Sequence, residues 1–235
     1  MNGIDSLLRG LWRSLPGRER LRRTKTFVAL RGAYYSWRWR GASHDQIFDR
    51  SYFEFVERTT STSAEVIADS ILTDYQPESV LDVGCGTGTL LERLRERGVR
   101  VRGVERAAAG LEFCRERGLD VAAFDVCHDA LSEADRADVA VCMEVAHQLP
   151  RTAADTLVDL LCAAAPIVVF SSETPGGGDR CASNEQPPEY WIEKFRARGF
   201  AWEAERTTAW RLSWEASGVK SWFCKNLLLF RRSEK

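Results

Sequence analysis

The sequence predicts an α/β fold, helices flanking a mostly parallel sheet, preceded by a basic helical arm. Three observations carry this. From about residue 60, short apolar runs alternate with stretches whose apolar residues recur at helical spacing. The first run passes straight into a turn with glycine at 84, 86 and 88. Residues 1–42 hold ten Arg or Lys against Asp5 and Glu19, a net of +8, which leaves −9 for the rest. At 235 residues and 44% hydrophobic content the chain can bury a substantial core. We read residues 1–42 as a basic amphipathic arm or cap and residues 43–235 as one domain.

In the arm, Ile4, Leu7, Leu8, Leu11, Trp12 and Leu15 line one helical face until Pro16 and Gly17 stop it. The basic run "GRERLRRTK" and the aromatic "YYSWRW" follow. Such a segment packs on the core or across a homodimer partner, or it docks on an anionic partner such as a carrier protein, a nucleotide-linked substrate or a membrane surface.

"TSAE" at 62–65 reads as a capping box, Thr62 with Glu65, opening the domain's first helix. Apolar runs then come at "SVLDVG", "VRVRGVE", "LDVAAFDV", "ADVAVCM" and "PIVVFSS", with helices expected near 88–97, 107–117 and 151–164. Short apolar strands alternating with helices imply a parallel sheet joined by right-handed crossovers. After "PGGGD" a helix begins at the prolines of "QPPEYW" and runs to Gly199. The final "SWFCKNLLLFRR" reads as one long strand, paired with "GFAWEAERTT" across the segment holding Trp210 and Trp214.

Several classes are excluded. The seven cysteines, 85, 114, 127, 142, 162, 181 and 224, stand singly, which fits neither a zinc cluster nor a disulfide framework and suits a reducing cytoplasm. There is no apolar run of membrane-spanning length and no secretory signal pattern. A cytoplasmic location is the expectation.

"VLDVGCGTGTLLERL" is the most informative segment. Its glycines let the backbone turn sharply and a ligand approach it closely, at the carboxyl ends of the strands where open parallel sheets bind ligands. A dinucleotide loop wants its third glycine three residues after the second. Here it comes two after, Thr89 stands at the dinucleotide position, and Asp82 would repel a phosphate. An acid there suits a cation instead, and S-adenosylmethionine brings an ammonium and a sulfonium without a phosphate. Glu105 ends the second run 21 residues after Gly84, placed to take the hydroxyls of a ribose. Asp125 and Val126 end the third, beside the expected adenine.

The ordered series "VLDVGCGTG", "VRGVE", "FDV" and "DVAVCMEVAHQLP" resembles the class I S-adenosylmethionine-dependent methyltransferases over roughly residues 60–173, in particular bacterial small-molecule O-methyltransferases of the ubiquinone-biosynthesis and natural-product or sugar-tailoring kinds. The resemblance implies a Rossmann-like seven-stranded sheet, mostly parallel with an antiparallel last strand. It implies S-adenosyl-L-methionine as cofactor, with Asp82, Gly84, Cys85, Gly86 and Gly88 around the methionine end. Glu105 and Arg106 fall at the ribose, Asp125 and Val126 at the adenine, and Met143 beside the cofactor.

"CMEVAHQLP" (142–150) closes the fourth run. Methyl transfer is an in-line displacement, so alignment does much of the work, and a hydroxyl nucleophile gains from a base. Of three histidines only His147 falls here, and with Glu144 it is the catalytic candidate. His147 reads as general base, as a structural or substrate-binding polar residue, or as a metal ligand. Relatives of the ubiquinone type often carry Glu-x-x-Glu-His at this point, where this chain has Glu144, His147 and Gln148. With no third ligand identifiable, no metal site is assigned.

The region after the fifth run usually covers the acceptor in this family. Asn184 and Glu185 of "SNEQPPEYW" are candidate contacts, and Trp191, Trp202, Trp210, Trp214 and Trp222 are candidates for stacking or packing. The leading expectation is methyl transfer to a hydroxyl of a sugar or secondary metabolite. The alternatives are N-methylation of a small amine, a nucleic-acid-binding protein using the basic arm, disfavoured by the acidic body, and a cofactor-binding protein without transfer activity.

Overall fold

The computed structural model describes Thr26, residues 43–176 and residues 182–233. The expected arm helix over 1–42 lies, apart from Thr26, outside the described residues. The seven-stranded sheet runs in the order β3-β2-β1-β4-β5-β7-β6. Its strands are β1 Ser79–Val83, β2 Arg100–Glu105, β3 Val121–Ala123, β4 Val139–Met143, β5 Ile167–Ser171, β6 Phe200–Trp202 and β7 Leu227–Arg232. β1 to β5 are mutually parallel, and β7 lies antiparallel between β5 and β6. β1 and β5 are buried along their whole length, which is why they read as unbroken apolar runs. Parallel register sends the carboxyl ends of β1, β2 and β4 to one edge of the sheet.

Helices cover both faces. On one, α5 Ala154–Ala164 and α6 Pro188–Arg196 bury Leu157, Leu161, Trp191 and Phe195 against Phe170 and Phe230, with Phe195 and Phe230 stacked at 4.0 Å between ring centroids. On the other, α2 Arg50–Tyr75 and α7 Ala204–Ala216 bury Ile67, Ile71, Trp210 and Trp214. α3 Thr89–Glu96 and α4 Ala108–Glu116 follow β1 and β2, and the short α1 His44–Ile47 precedes α2. Packing, not acceptor stacking, accounts for Trp191, Trp210 and Trp214. The indole N–H of Trp210 donates to Asp74 (2.7 Å) and that of Trp214 to Ser70 (2.8 Å), as buried indoles require.

Two local expectations fail. "TSAE" starts no helix, because α2 begins at Asp49, whose side chain accepts from the Tyr52 N–H (2.9 Å), and runs through the segment. Thr59 and Thr60 turn their hydroxyls back onto the carbonyls of Phe55 and Val56 (2.8 Å each), so hydroxyl residues that favour caps are housed within a helix. Ser63 is buried and accepts from the Lys220 N–H (3.1 Å). The tail is not one long strand either. Ser221–Asn226 forms α8 and only Leu227–Arg232 is strand; of "GFAWEAERTT" only Phe200–Trp202 pairs with it, while "AERTT" opens α7.

Candidate functional site

A cavity of 1070 Å³ opens where the carboxyl ends of β1, β2 and β4 meet, roofed by α1 and α2. Its floor is the glycine loop. Gly84 has φ +77°, and a Cβ there would fall 2.4 Å from Val145 Cγ2, so both conformation and space require glycine. The N–H groups of Gly84 and Cys85 both donate to Val104 O (2.8 and 3.2 Å), pinning the loop to β2. Gly88, the N-cap of α3 at φ +75°, does not line the cavity. A Cβ there would meet Leu119 at 2.5 Å, so its role is the close packing of the loop on the turn after α4.

Glu105, at the end of β2, is buried, and its carboxylate takes three backbone N–H groups, those of Gly86 (2.9 Å), Arg106 and Ala107 (2.8 Å each). Burial raises its pKa against the lowering effect of those bonds. Asp82, at the end of β1, is also buried but has no such support. Burial, with Glu105 beside it, pushes its carboxyl up to about 7. A buried acid held this way is suited to receive a cation.

Further along, Asp125 and Val126 line the cavity after β3. Burial would raise the Asp125 carboxyl, but the Cys127 N–H (2.9 Å), His128 (3.0 Å) and Arg106 (3.3 Å) together hold it below the usual range. Cys85, Gly86, Arg106 and Met143 line the cavity as well. Every residue expected at the cofactor is thus at the cavity wall except Gly88.

The other end of the cavity holds two carboxylates. Glu144 follows β4 at φ +61°, a left-handed conformation that a side chain adopts at a cost. It is held there by its N–H bonds to Ser171 O (2.9 Å) and Oγ (3.1 Å). Burial pushes its carboxyl up to about 7, with Glu173 adding to the rise and His147, Ser171 and Asn226 opposing it. Glu173, just past β5, lies on the same wall. Asn226 Nδ2 donates to Glu144 Oε1 and Oε2 (3.1 and 3.3 Å) and approaches Glu173 Oε1 (3.4 Å). Glu173 and Asn226 escaped the sequence reading, while Trp222, one of the five tryptophans named, lines the cavity. Asn226 is the single amide in an apolar stretch, which gives no local signal.

His147 is fully buried and does not line the cavity. Its Nδ1 accepts the Glu173 N–H (3.1 Å) and its carbonyl takes the N–H groups of Ser183 and Asn184 (2.7 and 2.9 Å). The Nδ1 lone pair is taken by the Glu173 N–H, and the ring does not face the cavity where a substrate proton would be. The geometry therefore favours the structural reading over the base reading. Asn184 and Glu185 likewise stand off the cavity. Asn184 is buried and accepts from Gln186 Nε2 (2.9 Å), and Glu185 accepts the Gly176 N–H (3.0 Å). Among the described residues no group of three His, Cys, Asp or Glu could hold a metal ion, and no helix is long and apolar enough to cross a membrane.

Comparison with known proteins agrees with this geometry. Residues 65–173 match the family model of the methionine biosynthesis protein MetW. A ubiquinone biosynthesis O-methyltransferase from Pseudomonas entomophila is 35% identical over 79 residues, 31% of this chain and 34% of that one, so the chain's match spans about a third of the length of such curated relatives. Among solved structures, the S-adenosylhomocysteine complex of magnesium protoporphyrin IX methyltransferase from Synechocystis PCC 6803 superposes with a TM-score of 0.56 at 16% identity, covering 76% of this chain and 88% of that one. The S-adenosylmethionine complex of CalS10, an amino pentose methyltransferase from Micromonospora echinaspora, gives 0.54 at 18% identity, covering 86% and 96%. Sheet order, the antiparallel seventh strand and these superpositions agree: the chain has the class I S-adenosylmethionine-dependent methyltransferase fold.

Proposed function

We propose that the protein binds S-adenosylmethionine across the glycine loop and transfers its methyl group to a hydroxyl of a small molecule, a sugar or secondary metabolite. The carrying observation is that two acids, Asp82 and Glu144, stand at adjacent strand ends of one cavity beside the glycine loop. The donor set fits the cofactor: Asp82 offers its charge to a cation, Glu105 is fixed for a ribose, and Asp125 with Val126 borders the adenine position. When bound, the cofactor supplies an activated methyl on a sulfonium.

The chain's own residues do the rest. The glycine loop and Glu105 fix the position of the bound partner, and orientation of this kind is worth roughly 7–11 kcal/mol in favourable systems. Glu144, with a pKa near neutrality, takes the hydroxyl proton, a contribution of about 10²–10⁴-fold. Phe48, Phe53 and Val56 from α1 and α2 line the cavity and screen it from water. His147 holds the Glu173 backbone and so acts through the cavity wall.

Calorimetric titration with S-adenosylmethionine and S-adenosylhomocysteine, with ATP and NAD as controls, tests the cofactor. Release of S-adenosylhomocysteine with a gain of 14 Da on an added sugar or phenol tests transfer. Binding of NAD in preference to S-adenosylmethionine would overturn the reading. A second reading, N-methylation of an amine, is supported by the acidic character of this wall. A preference for amines over matched alcohols in the same assay would select it.

A further inference from the structure

Glu144 stands apart from the other acids of the cavity in how it is held. It comes from the turn after β4, sits in a left-handed conformation, and receives its side-chain hydrogen bonds from Ser171 and from the tail of the chain. Asn226 is 4% exposed and lies 82 positions from Glu144 in sequence. Its amide nitrogen reaches both Glu144 oxygens and one oxygen of Glu173. Two carboxylates within reach of one nitrogen are close enough to repel when both ionise. The group between them therefore decides whether both can be charged together. An amide is suited to this, because it donates from Nδ2, is itself uncharged, and cannot titrate.

We infer that Asn226 is a positioning residue: it holds the Glu144 carboxylate toward the cavity and offsets the repulsion from Glu173, favouring the ionised form of Glu144. The inference rests on the reading of Glu144 as the base in its consequence for transfer, and its test does not. Several groups face Glu144, among them the buried Cys142 thiol of β4, which burial first and then Asp82 and Glu144 push well up. His147 from its own loop opposes the rise in its pKa, and Glu173 from the β5 end adds to it. Ser171 caps its backbone and bonds its side chain, while Asp82 at the β1 end and Lys225 beside Asn226 line the same cavity. Of these, only Asn226 donates a side-chain hydrogen bond to the two carboxylates together. The backbone contacts explain why the donor comes from the tail. α8 buries Cys224 and Asn226 and ends where β7 pairs with β5 at Ser171↔Leu227, so the strand register fixes Asn226 beside the β5 end.

The test is the titration of Glu144 itself, followed by NMR of protein carrying ¹³C at the glutamate carboxyls, with the resonance assigned by its loss in Glu144→Gln. Asn226→Leu keeps the size of the side chain and removes the donor. Its Glu144 resonance is expected to titrate about one to two pH units higher than in the wild-type protein, the effect of losing a hydrogen bond to a charged group. Asn226→Gln, which restores an amide donor, is expected to bring it back at least half-way. Thermal unfolding and S-adenosylhomocysteine binding confirm that each variant is folded. Should Asn226→Leu unfold, Asn226→Ser, with a shorter donor, is expected to give an upward shift of its own. A Glu144 titration that does not move in a folded Asn226 variant overturns the inference and leaves the base reading standing. Full transfer activity in Glu144→Gln would remove the base reading and leave the control of Glu144 by Asn226 intact.

Discussion

At the glycine-loop end of the cavity, the bond that closes the site joins Gly86 to Glu105, 19 positions apart. At the acid-pair end it joins Glu144 to Asn226, 82 positions apart, with Glu173 brought in from a third segment. The first end is one supersecondary unit, strand, turn, helix and strand, and its polar groups are saturated largely by backbone. The second exists only after β5 and β7 have paired. The difference separates what is common to a fold from what is particular to a chain. A local unit can be carried intact between proteins, whereas an assembled wall can be rebuilt one segment at a time without disturbing the loop.

If the two ends are separable in this way, the largest effect belongs to the acid pair. Glu144→Gln preserves shape and keeps one acceptor oxygen for Asn226, but cannot take a proton. Methyl transfer, measured as S-adenosylhomocysteine release, is expected to fall by about 10²–10⁴-fold while affinity for S-adenosylhomocysteine changes less than about twofold, well under 1 kcal/mol. Loss of cofactor affinity in this variant would mean the two ends are one site.

The reciprocal change comes at Gly84. A methyl there meets Val145 at 2.4 Å and forces a side-chain residue to φ +77°. Strain of roughly 1–2 kcal/mol adds to overpacking of about 1–3 kcal/mol. Gly84→Ala is therefore expected to weaken cofactor binding by tenfold or more and to lower the melting temperature by several degrees, on the order of 2–4 °C per kcal/mol for a chain of this size. Wild-type affinity in Gly84→Ala would show that the loop has room that the contact with Val145 denies.

The same contrast explains what could be read from sequence alone. Most of the five parallel strands were legible as short, largely apolar runs bracketed by polar turns, with charged residues confined mainly to β2 and the strand ends, and the loop because glycine at 84 and 86 with an acid before it is a local requirement. The capping box at 62–65 misled because a hydroxyl's choice between cap and helix interior depends on what lies upstream, here the Asp49 cap that starts α2 thirteen residues earlier. The tail misled because "SWFCKN" has strand-favouring residues, yet docking Cys224 and Asn226 into the core makes it helical. Glu173 and Asn226 carry no pattern at all, since their meaning lies in a pairing between β5 and β7.

The two ends should also differ in how they answer to pH. Asp82 has a folded-state pKa of about 7 against an ordinary value of 3.8. A cationic ligand binds its ionised form, so affinity is expected to be constant above pH 7 and to fall by up to about tenfold per unit below it. Stability of the cofactor-free protein should move the other way. The folded state holds protons on Asp82 and Glu144 that the unfolded chain has lost, so between about pH 4 and 7 stability decreases as pH rises. Calorimetric titration with S-adenosylmethionine at pH 5.5, 6.5 and 7.5, beside melting curves of the free protein, checks both signs. Equal affinities at the three values would mean that Asp82 does not face the cation.

The smallest effect is expected at His147, where the sequence most strongly suggested chemistry. Its Nδ1 serves the Glu173 N–H, and its ring is shut off from the cavity. An asparagine amide oxygen can stand in for Nδ1 as an acceptor in a smaller volume. His147→Asn is therefore expected to keep transfer within about tenfold of the wild type, below the roughly 10²–10⁴-fold that a general base supplies, and to lose stability, of order 1–3 kcal/mol, for the emptied space and imperfect hydrogen bond. His147→Leu, which leaves the Glu173 N–H without an acceptor, should cost more stability than His147→Asn and should shift the wall bearing Glu173. If both variants lost transfer alike, by a hundredfold or more with melting temperature unchanged, His147 would be the base after all. The acid-pair end would then have to open further than the described structure does. Activity that tracks stability across the two variants instead assigns His147 to the wall that positions Glu173.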